Sequence, residues 1–359
     1  MKKQTLQLLK ALSELDGVSG FEREVRDFIR AELDGVAEFD SDNLGSLICK
    51  KAGASERPRI MLPAHMDEIG FVVKNVEESG CVRFATLGGW LEQVMLGHQV
   101  KILTRKGPVR GVIGCTPPHM LPKEDRDKLI TKKKMFIDVG AADKEEATEK
   151  FGIRTGDPIV PMQEFARLKD PKYLMGKAWD DRVCCALMIE VLRSLQKVRH
   201  PNTVYGVATV QEEVGTRGAT TSSEVVEPDF CIVLDVGIAT DVPGTEGEVK
   251  VQLGKGPVFY MQDAGTIAHQ RFRDFVIEVA EKSDVPIQLS LIEGGSSDGR
   301  AIQIHSRGVP CVLLGMPARY IHSHAGIVHS DDFDAALKLL VELIKALTPA
   351  VAKKLVDRV

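Results

Sequence analysis

A three-layer α/β domain with a mostly parallel central sheet, interrupted by a small barrel-like all-β unit, is the architecture this sequence predicts. Three observations carry that expectation. The chain has 359 residues, beyond the size at which a single core stops growing, so two domains are expected. From about residue 163 onward helix and strand patterns alternate, as in βαβ units whose sheet is covered on both faces. Between residues 72 and 162 the pattern turns into short, evenly spaced alternating segments, punctuated by Gly88-Gly89, Gly107-Pro108 and Pro117-Pro118. Residues 1–71 and 163–359 are therefore expected to form one discontinuous α/β domain, with 72–162 inserted as the β-rich unit.

Taken in order, the first helix should run from about Thr5 to Leu15, with Leu6, Leu9 and Leu12 toward one face. Asp16-Gly17-Val18-Ser19-Gly20 breaks it. Ser19 and Glu22 have capping-box spacing for a second helix, Phe21 to about Leu33. Strands follow near Ser46–Cys49 and at Arg59–Ala64, the latter ending at His65. In the insert, strands are expected around Val82–Phe84, His98–Leu103, Val109–Ile113 and Lys134–Asp138, with one helix near Lys144–Phe151. Asp181 to Val198 is a strong helix, with Val183, Leu187, Val191 and Leu195 on one stripe. Strands at 203–211 and 230–235, a helix around Ile267–Ser283, strands at 286–291 and 309–314, and a helix from about Asp332 to Leu347 complete the chain.

Composition narrows the function classes. Hydrophobic content of 43% and charged content of 27% are ordinary for a soluble globular protein, and a net charge of −4 gives no electrostatic case for nucleic acid. The seven cysteines are scattered and none has Cys-x-x-Cys spacing, which points to buried free thiols in a reducing cytoplasm. The N-terminal stretch reads as an amphipathic helix rather than a signal peptide, and no apolar run approaches the roughly 20 residues that span a bilayer.

The most telling segment is Val210-Gln211-Glu212-Glu213-Val214-Gly215, where two acids interrupt an apolar strand. Buried unpaired, such charges are costly, so cations are the expected compensation. On extended backbone the two carboxylates point to opposite faces, which leaves Glu213 to hold a metal and Glu212 to act as general base on water. His65, Asp235, Glu212 and Glu213 all fall at expected strand ends, where α/β sheets gather ligands. His65 and Asp67, two apart, share a face, so Asp67 can orient a metal-holding imidazole. Asp180-Asp181 precedes a helix. Asp181 suits simple electrostatic capping, while a carboxylate at Asp180 can bridge two cations ~3.5–4 Å apart, the separation in two-metal hydrolytic sites. Of His322 and His324, one can complete the second metal's set of ligands, and the residues alone leave open which. Mixed imidazole and carboxylate donors suit zinc first, with cobalt and manganese as further occupants.

These motifs resemble the dinuclear-metal aminopeptidases that include the glutamyl aminopeptidases and the tetrahedral aminopeptidases. The resemblance covers nearly the whole chain. It rests on Ala64-His-Met-Asp-Glu-Ile-Gly-Phe71, Gly88-Gly-Trp90, Gly176-Lys-Ala-Trp-Asp-Asp-Arg182, Val210-Gln-Glu-Glu-Val-Gly215, Leu234-Asp-Val236, Gly294-Gly-Ser-Ser-Asp298 and Arg319-Tyr-Ile-His-Ser323. It implies that His65 and Asp235 hold one metal with bridging Asp180, that Glu213 and His322 hold the other, that Glu212 is the acid/base and that Asp67 supports His65. It also implies peptide substrates and an inserted domain used for dimerisation, often with dimers assembled into a tetrahedral dodecamer. Where such enzymes usually carry Gly-Thr-Asp-Ala, this chain has Gly295-Ser-Ser-Asp-Gly299, and Cys184-Cys185 replaces small residues behind the double aspartate.

Other activities fit less well. A deacylase or carboxypeptidase can use the same ligands, since they do not define which end of a substrate enters. Relatives have also been called endoglucanases. Glycoside hydrolysis, however, needs a carboxyl pair across a sugar ring rather than two histidines, and 5% aromatic residues with two tryptophans offer little for sugar stacking. The N-terminal residue preferred is not legible in the sequence.

Overall fold

The central parallel strands are made of near-continuous apolar runs, and the register in which they pair decides where the site forms. The computed structural model describes residues 1–120, 122–125, 128–246 and 248–356. Four parallel strands form the middle of the large sheet, in the order Thr203–Thr209, Arg59–His65, Phe230–Ile238 and Cys311–Arg319. Antiparallel strands extend both edges. Leu47–Lys51 and Glu38–Ser41 lie on one side, and Gly326–His329, Tyr173–Gly176 and Ala166–Arg167 on the other. Val258–Tyr260 pairs antiparallel with Cys311–Arg319 and carries Gln288–Ser290 beside it.

Alternate side chains of each parallel strand feed two separate cores, as the period of two requires. Ile60, Leu62, Phe230, Ile232, Leu234, Val312 and Leu314 face the larger one, beneath helices Lys3–Glu14, Trp179–Ser194, Gln270–Lys282 and Ser330–Ala346. Met61, Cys231, Val233, Cys311 and Leu313 face the smaller one, under helices Arg217–Val226 and Gly299–Ile302. The three layers are thus present, unequal in thickness. The inserted unit is a closed antiparallel barrel of Gly70–Val76, Val82–Leu87, Phe136–Asp138, Gly107–Gly114, Gln99–Thr104 and Pro158–Pro161, in that order. Phe71, Phe84, Val100, Ile102, Ile137 and Ile159 fill its interior.

Several local expectations are corrected. Ser19 and Glu22 form no capping box: the Ser19 hydroxyl donates to the Asp67 carboxylate at 2.6 Å, and the helix Arg23–Glu32 has no side-chain cap. A long-range carboxylate outcompetes the local amide. The expected helix near 144–151 is a π-helical turn, Glu146–Lys150, and the helix expected from Ile267 starts at Gln270, leaving Ile267 exposed. A final helix, Pro349–Val356, and the short edge strands were not legible. Their runs of two to four residues are too short to show a period. Among the described residues no helix is long and apolar enough to cross a membrane.

Candidate metal centre

Parallel pairing of Arg59–His65 with Thr203–Thr209 puts His65 opposite Thr209, so the imidazole and the Glu212-Glu213 turn leave the sheet at one place. Asp235 comes from the neighbouring strand. It does not close that strand, which continues to Ile238, and one of its oxygens accepts the Val236 amide at 2.7 Å. Asp180 opens the helix Trp179–Ser194 in a non-helical conformation, and its peptide bond to Asp181 is cis. His322 sits at φ 56° in the loop after Cys311–Arg319.

The five residues converge. The His65 Nε2 lies 2.9 Å from Asp180 Oδ1, and the His322 Nε2 lies 3.3 Å from Asp180 Oδ2 and 3.4 Å from Glu213 Oε1. His65, Asp180 and Asp235 offer donor atoms within 4.8 Å of one another, and so do Asp180, Glu213 and His322. Asp180 belongs to both groups. Asp181 does not join them: it is fully buried, with one oxygen accepting the His65 backbone amide at 3.2 Å and tying strand to helix. His324 turns the other way, stacking on His98 at 3.7 Å and packing near Trp90. Gly88 and Gly89 let the barrel-side loop approach closely. A Cβ at Gly88 would lie 2.9 Å from Glu213 Oε2, and one at Gly89 3.1 Å from the His322 ring.

The Glu212-Glu213 pair does not sit on extended backbone. The strand ends at Thr209, and Gln211, at φ 56°, turns the chain. Asp67 also differs from expectation. The His65 Nδ1 bonds the Asp67 carbonyl at 2.9 Å, whereas the Asp67 carboxylate accepts the Glu212 and Glu213 amides at 2.9 and 3.1 Å, besides the Ser19 hydroxyl. Its nearest approach to the ring is 3.5 Å. Asp67 thus holds the glutamate turn more directly than the imidazole. The turn closes by the Gly218 amide donating to the Val210 carbonyl at 2.9 Å, and a Cβ at Gly218 would lie 2.5 Å from Val210 N. Gly218→Ala is expected to force the turn apart, costing about 1–3 kcal/mol and reducing activity. A thermal melt and an activity assay check this, and an unshifted Tm would contradict the close contact.

Burial and mutual repulsion oppose the ionisation of several acids in the cluster. Burial, then the Asp180 carboxylate, pushes both Glu213 and Asp235 up to about 8. Burial also raises Glu212 well above the carboxylate range, reinforced by Asp235, Asp298 and Glu213. Burial works against ionised Asp180 as well, but hydrogen bonds from His322 and His65 outweigh it and hold that carboxyl low. At His322 burial acts downward, but the Asp180 hydrogen bond and the Glu213 charge outweigh it and lift the imidazole to about 9. Glu213 Oε1 is buried without a hydrogen-bond donor. An orphaned oxygen in a nest of acids and imidazoles is what a divalent cation would satisfy, so the donor set fits a metal. Beside it opens a cavity of about 1020 Å³, lined among others by Val236, Ile238, Tyr260, Leu291, Ile292 and Ser297.

A network that the sequence reading passed over backs the site. Arg182, fully buried, donates to the carbonyls of Leu12 and Gly17 at 3.0 Å and of Met66 at 2.5 Å. Buried Lys177 donates to Glu68 at 2.5 Å and to the Leu15 carbonyl at 2.8 Å. Both cations thereby fasten the 12–17 segment and the loop after His65 to the start of the helix that bears Asp180.

The model of the M42 glutamyl aminopeptidase family matches residues 45–339. Among curated proteins, the chain is 37% identical to a glutamyl aminopeptidase of Lactococcus lactis, covering 94% of this chain and 95% of that one. It is 35% identical to a lysyl aminopeptidase of Pyrococcus furiosus, covering 96% and 97%. Among solved structures, a TET aminopeptidase from a marine sediment Thaumarchaeota archaeon superposes with a TM-score of 0.96 at 43% identity, over 98% of this chain and 99% of that one. The Pyrococcus horikoshii TET1 peptidase, described as assembling into a tetrahedron or a large octahedral shell, superposes with a TM-score of 0.87 at 32% identity, over 96% and 100%. By sequence and by fold, the chain belongs to the M42 glutamyl aminopeptidase family.

Proposed function

We propose that this chain is a metal-dependent aminopeptidase that releases N-terminal residues from peptides, with a dinuclear centre and Glu212 as general base. Membership of the M42 family supports a peptidase. The observation that carries the dinuclear reading is Asp180, whose two oxygens face different imidazoles. One cation would be held by His65, Asp180 and Asp235, the other by Asp180, Glu213 and His322. The donors suit zinc first, then cobalt or manganese. When bound, the two cations would polarise the scissile carbonyl and acidify water.

The chain's own groups do the rest. Glu212 lines the cavity beside the cluster and belongs to neither ligand group, so its carboxylate is left to take a proton from water and pass it to the leaving amine. Asp67 positions Glu212 and Glu213 through their amides. The cavity would seat the N-terminal residue. Relatives named for glutamyl and for lysyl substrates lie at similar identity, so preference belongs to this lining rather than to the metal ligands. The tetrahedral and octahedral assemblies of the TET1 relative support self-association of this chain; a dimer or a tetrahedral dodecamer joined through the barrel is the form proposed. Gel filtration with light scattering tests that state.

The deciding experiment is an aminoacyl-substrate panel on chelator-stripped protein, before and after adding zinc, cobalt or manganese. Activity is expected only after metal is returned. Full activity in the stripped protein would refute the proposal, and cleavage only of acyl-blocked or C-terminal substrates would favour a deacylase or carboxypeptidase. A sugar-hydrolysing activity that survives chelation would favour the endoglucanase alternative. His322→Ala is expected to lose the ion shared with Glu213 while keeping the one shared with Asp235. Metal analysis after dialysis checks this, and retention of both ions would speak against the assignment.

A further inference from the structure

We infer that Glu22 is a positioning residue of the hydrolytic site, its carboxylate acting with that of Asp67 to clasp three consecutive backbone amides, those of residues 211–213, and so to aim Glu212 and Glu213 into the cluster. The inference rests on the roles proposed above for those two glutamates.

The geometry is specific. One oxygen of Glu22 accepts the Gln211 amide at 3.0 Å and the Gly20 amide at 2.7 Å. The next two amides along the chain, those of Glu212 and Glu213, go to Asp67. Three successive amides pointing into one concavity form an anion-binding nest, here filled by protein carboxylates instead of a ligand. Such a clasp has work to do at this turn. The chain leaves its strand at Thr209 and passes through a left-handed conformation at Gln211, a residue with a Cβ, so the local backbone does not specify the bend. The Gln211 side chain stays outside the clasp, accepting from Arg217 at 3.1 Å. The glutamate side chains leave on the side facing His322 and the cavity.

Glu22 is 6% exposed and stands at the head of helix Arg23–Glu32, where it caps no amide of its own helix. Its one bonded oxygen ties the Gly20 turn at the head of that helix to a segment 189 residues away. Burial and the Asp67 charge raise it to about 7, so near neutral pH it works as an acceptor whether or not its other oxygen carries a proton. Both amides go to the one oxygen, Oε1, so a single acceptor atom is what the geometry requires, and a glutamine amide oxygen supplies it.

The test uses the full chain as Glu22→Ala, Glu22→Asp and Glu22→Gln. For each, kcat and KM are measured on an aminoacyl substrate, cobalt affinity is measured on stripped protein by equilibrium dialysis, and folding is followed by circular dichroism. Alanine, which has no acceptor, and aspartate, which is too short to reach, are expected to lower kcat and weaken cobalt binding ~10- to 100-fold, the usual effect of losing an outer support of a metal site. KM should change little, because the groups displaced act after binding. Glutamine should recover most of both. Wild-type kcat and cobalt affinity in Glu22→Ala would overturn the inference, and so would a glutamine variant as impaired as alanine. Should Glu22→Ala not fold, full activity in a folded Glu22→Asp would also overturn it. Glu213→Ala is run alongside. Loss of cobalt there with an unaffected Glu22→Ala removes the Glu22 inference alone, whereas unaltered cobalt binding in Glu213→Ala removes the underlying ligand assignment.

Discussion

Glu212→Gln is expected to lower kcat by about 10²- to 10⁴-fold, the range attributable to a positioned acid/base, while leaving metal content and KM nearly unchanged. The substitution keeps the volume and a polar tip. The Glu212 backbone amide, which donates to Asp67, is untouched, so the turn should persist. Only the capacity to hold a transferred proton is removed. Glu213→Gln makes the informative contrast, because its buried oxygen faces His322 and its loss should appear as lost metal first. Steady-state kinetics with metal analysis of both variants check the pair. A Glu212→Gln enzyme with undiminished kcat would remove the general base from the mechanism.

Arg182→Leu should produce a large loss of stability, on the order of 3–5 kcal/mol, as expected when one member of a buried charge cluster is removed. Leucine occupies similar space but donates nothing. The carbonyls of Leu12 and Met66 would then lose the guanidinium, that of Gly17 would keep only the Glu68 amide, and the Glu68 carboxylate would retain only Lys177. At about 2–4 °C per kcal/mol the melting temperature should fall by roughly 10 °C. Because the same contacts seat the loop after His65, metal affinity should fall with it. A thermal melt in the stripped and metal-loaded states checks both effects. An unchanged Tm in both would mean that the network contributes nothing net, with desolvation of the guanidinium cancelling its hydrogen bonds.

Much of the candidate site was legible from residue type and strand position. His65 and Glu212-Glu213 each sit where an apolar run stops, and a polar group at the end of a central parallel strand has few reasons to be there besides ligand binding. Asp235 was found by the same rule although its strand runs on for three more residues. The choices between Asp180 and Asp181, and between His322 and His324, were out of reach of pattern alone. Adjacent or near-adjacent groups differ only in the direction their backbone gives them, and here non-helical or left-handed conformations set it. Ser19 and Glu22 show the opposite failure. Their spacing satisfies a local rule, yet the Ser19 hydroxyl goes to Asp67 and the Glu22 carboxylate takes the Gln211 amide beside the local Gly20 one, partners that arrive only after folding. Arg182 and Lys177 carry no mark in the sequence of their burial.

Sequence by itself determined the α/β character, the interruption by a β-rich unit and the chemical identity of the donors, because period and residue type are properties of neighbours along the chain. Tertiary structure showed which aspartate lies between the two imidazoles, which of His322 and His324 turns toward it, and which carboxylates hold the glutamate turn. The physical reason is register. Pairing His65 with Thr209 brings segments 16–22, 65–68, 177–182 and 209–213 to one point, and a buried polar group must then take whatever partner lies within 3 Å or so.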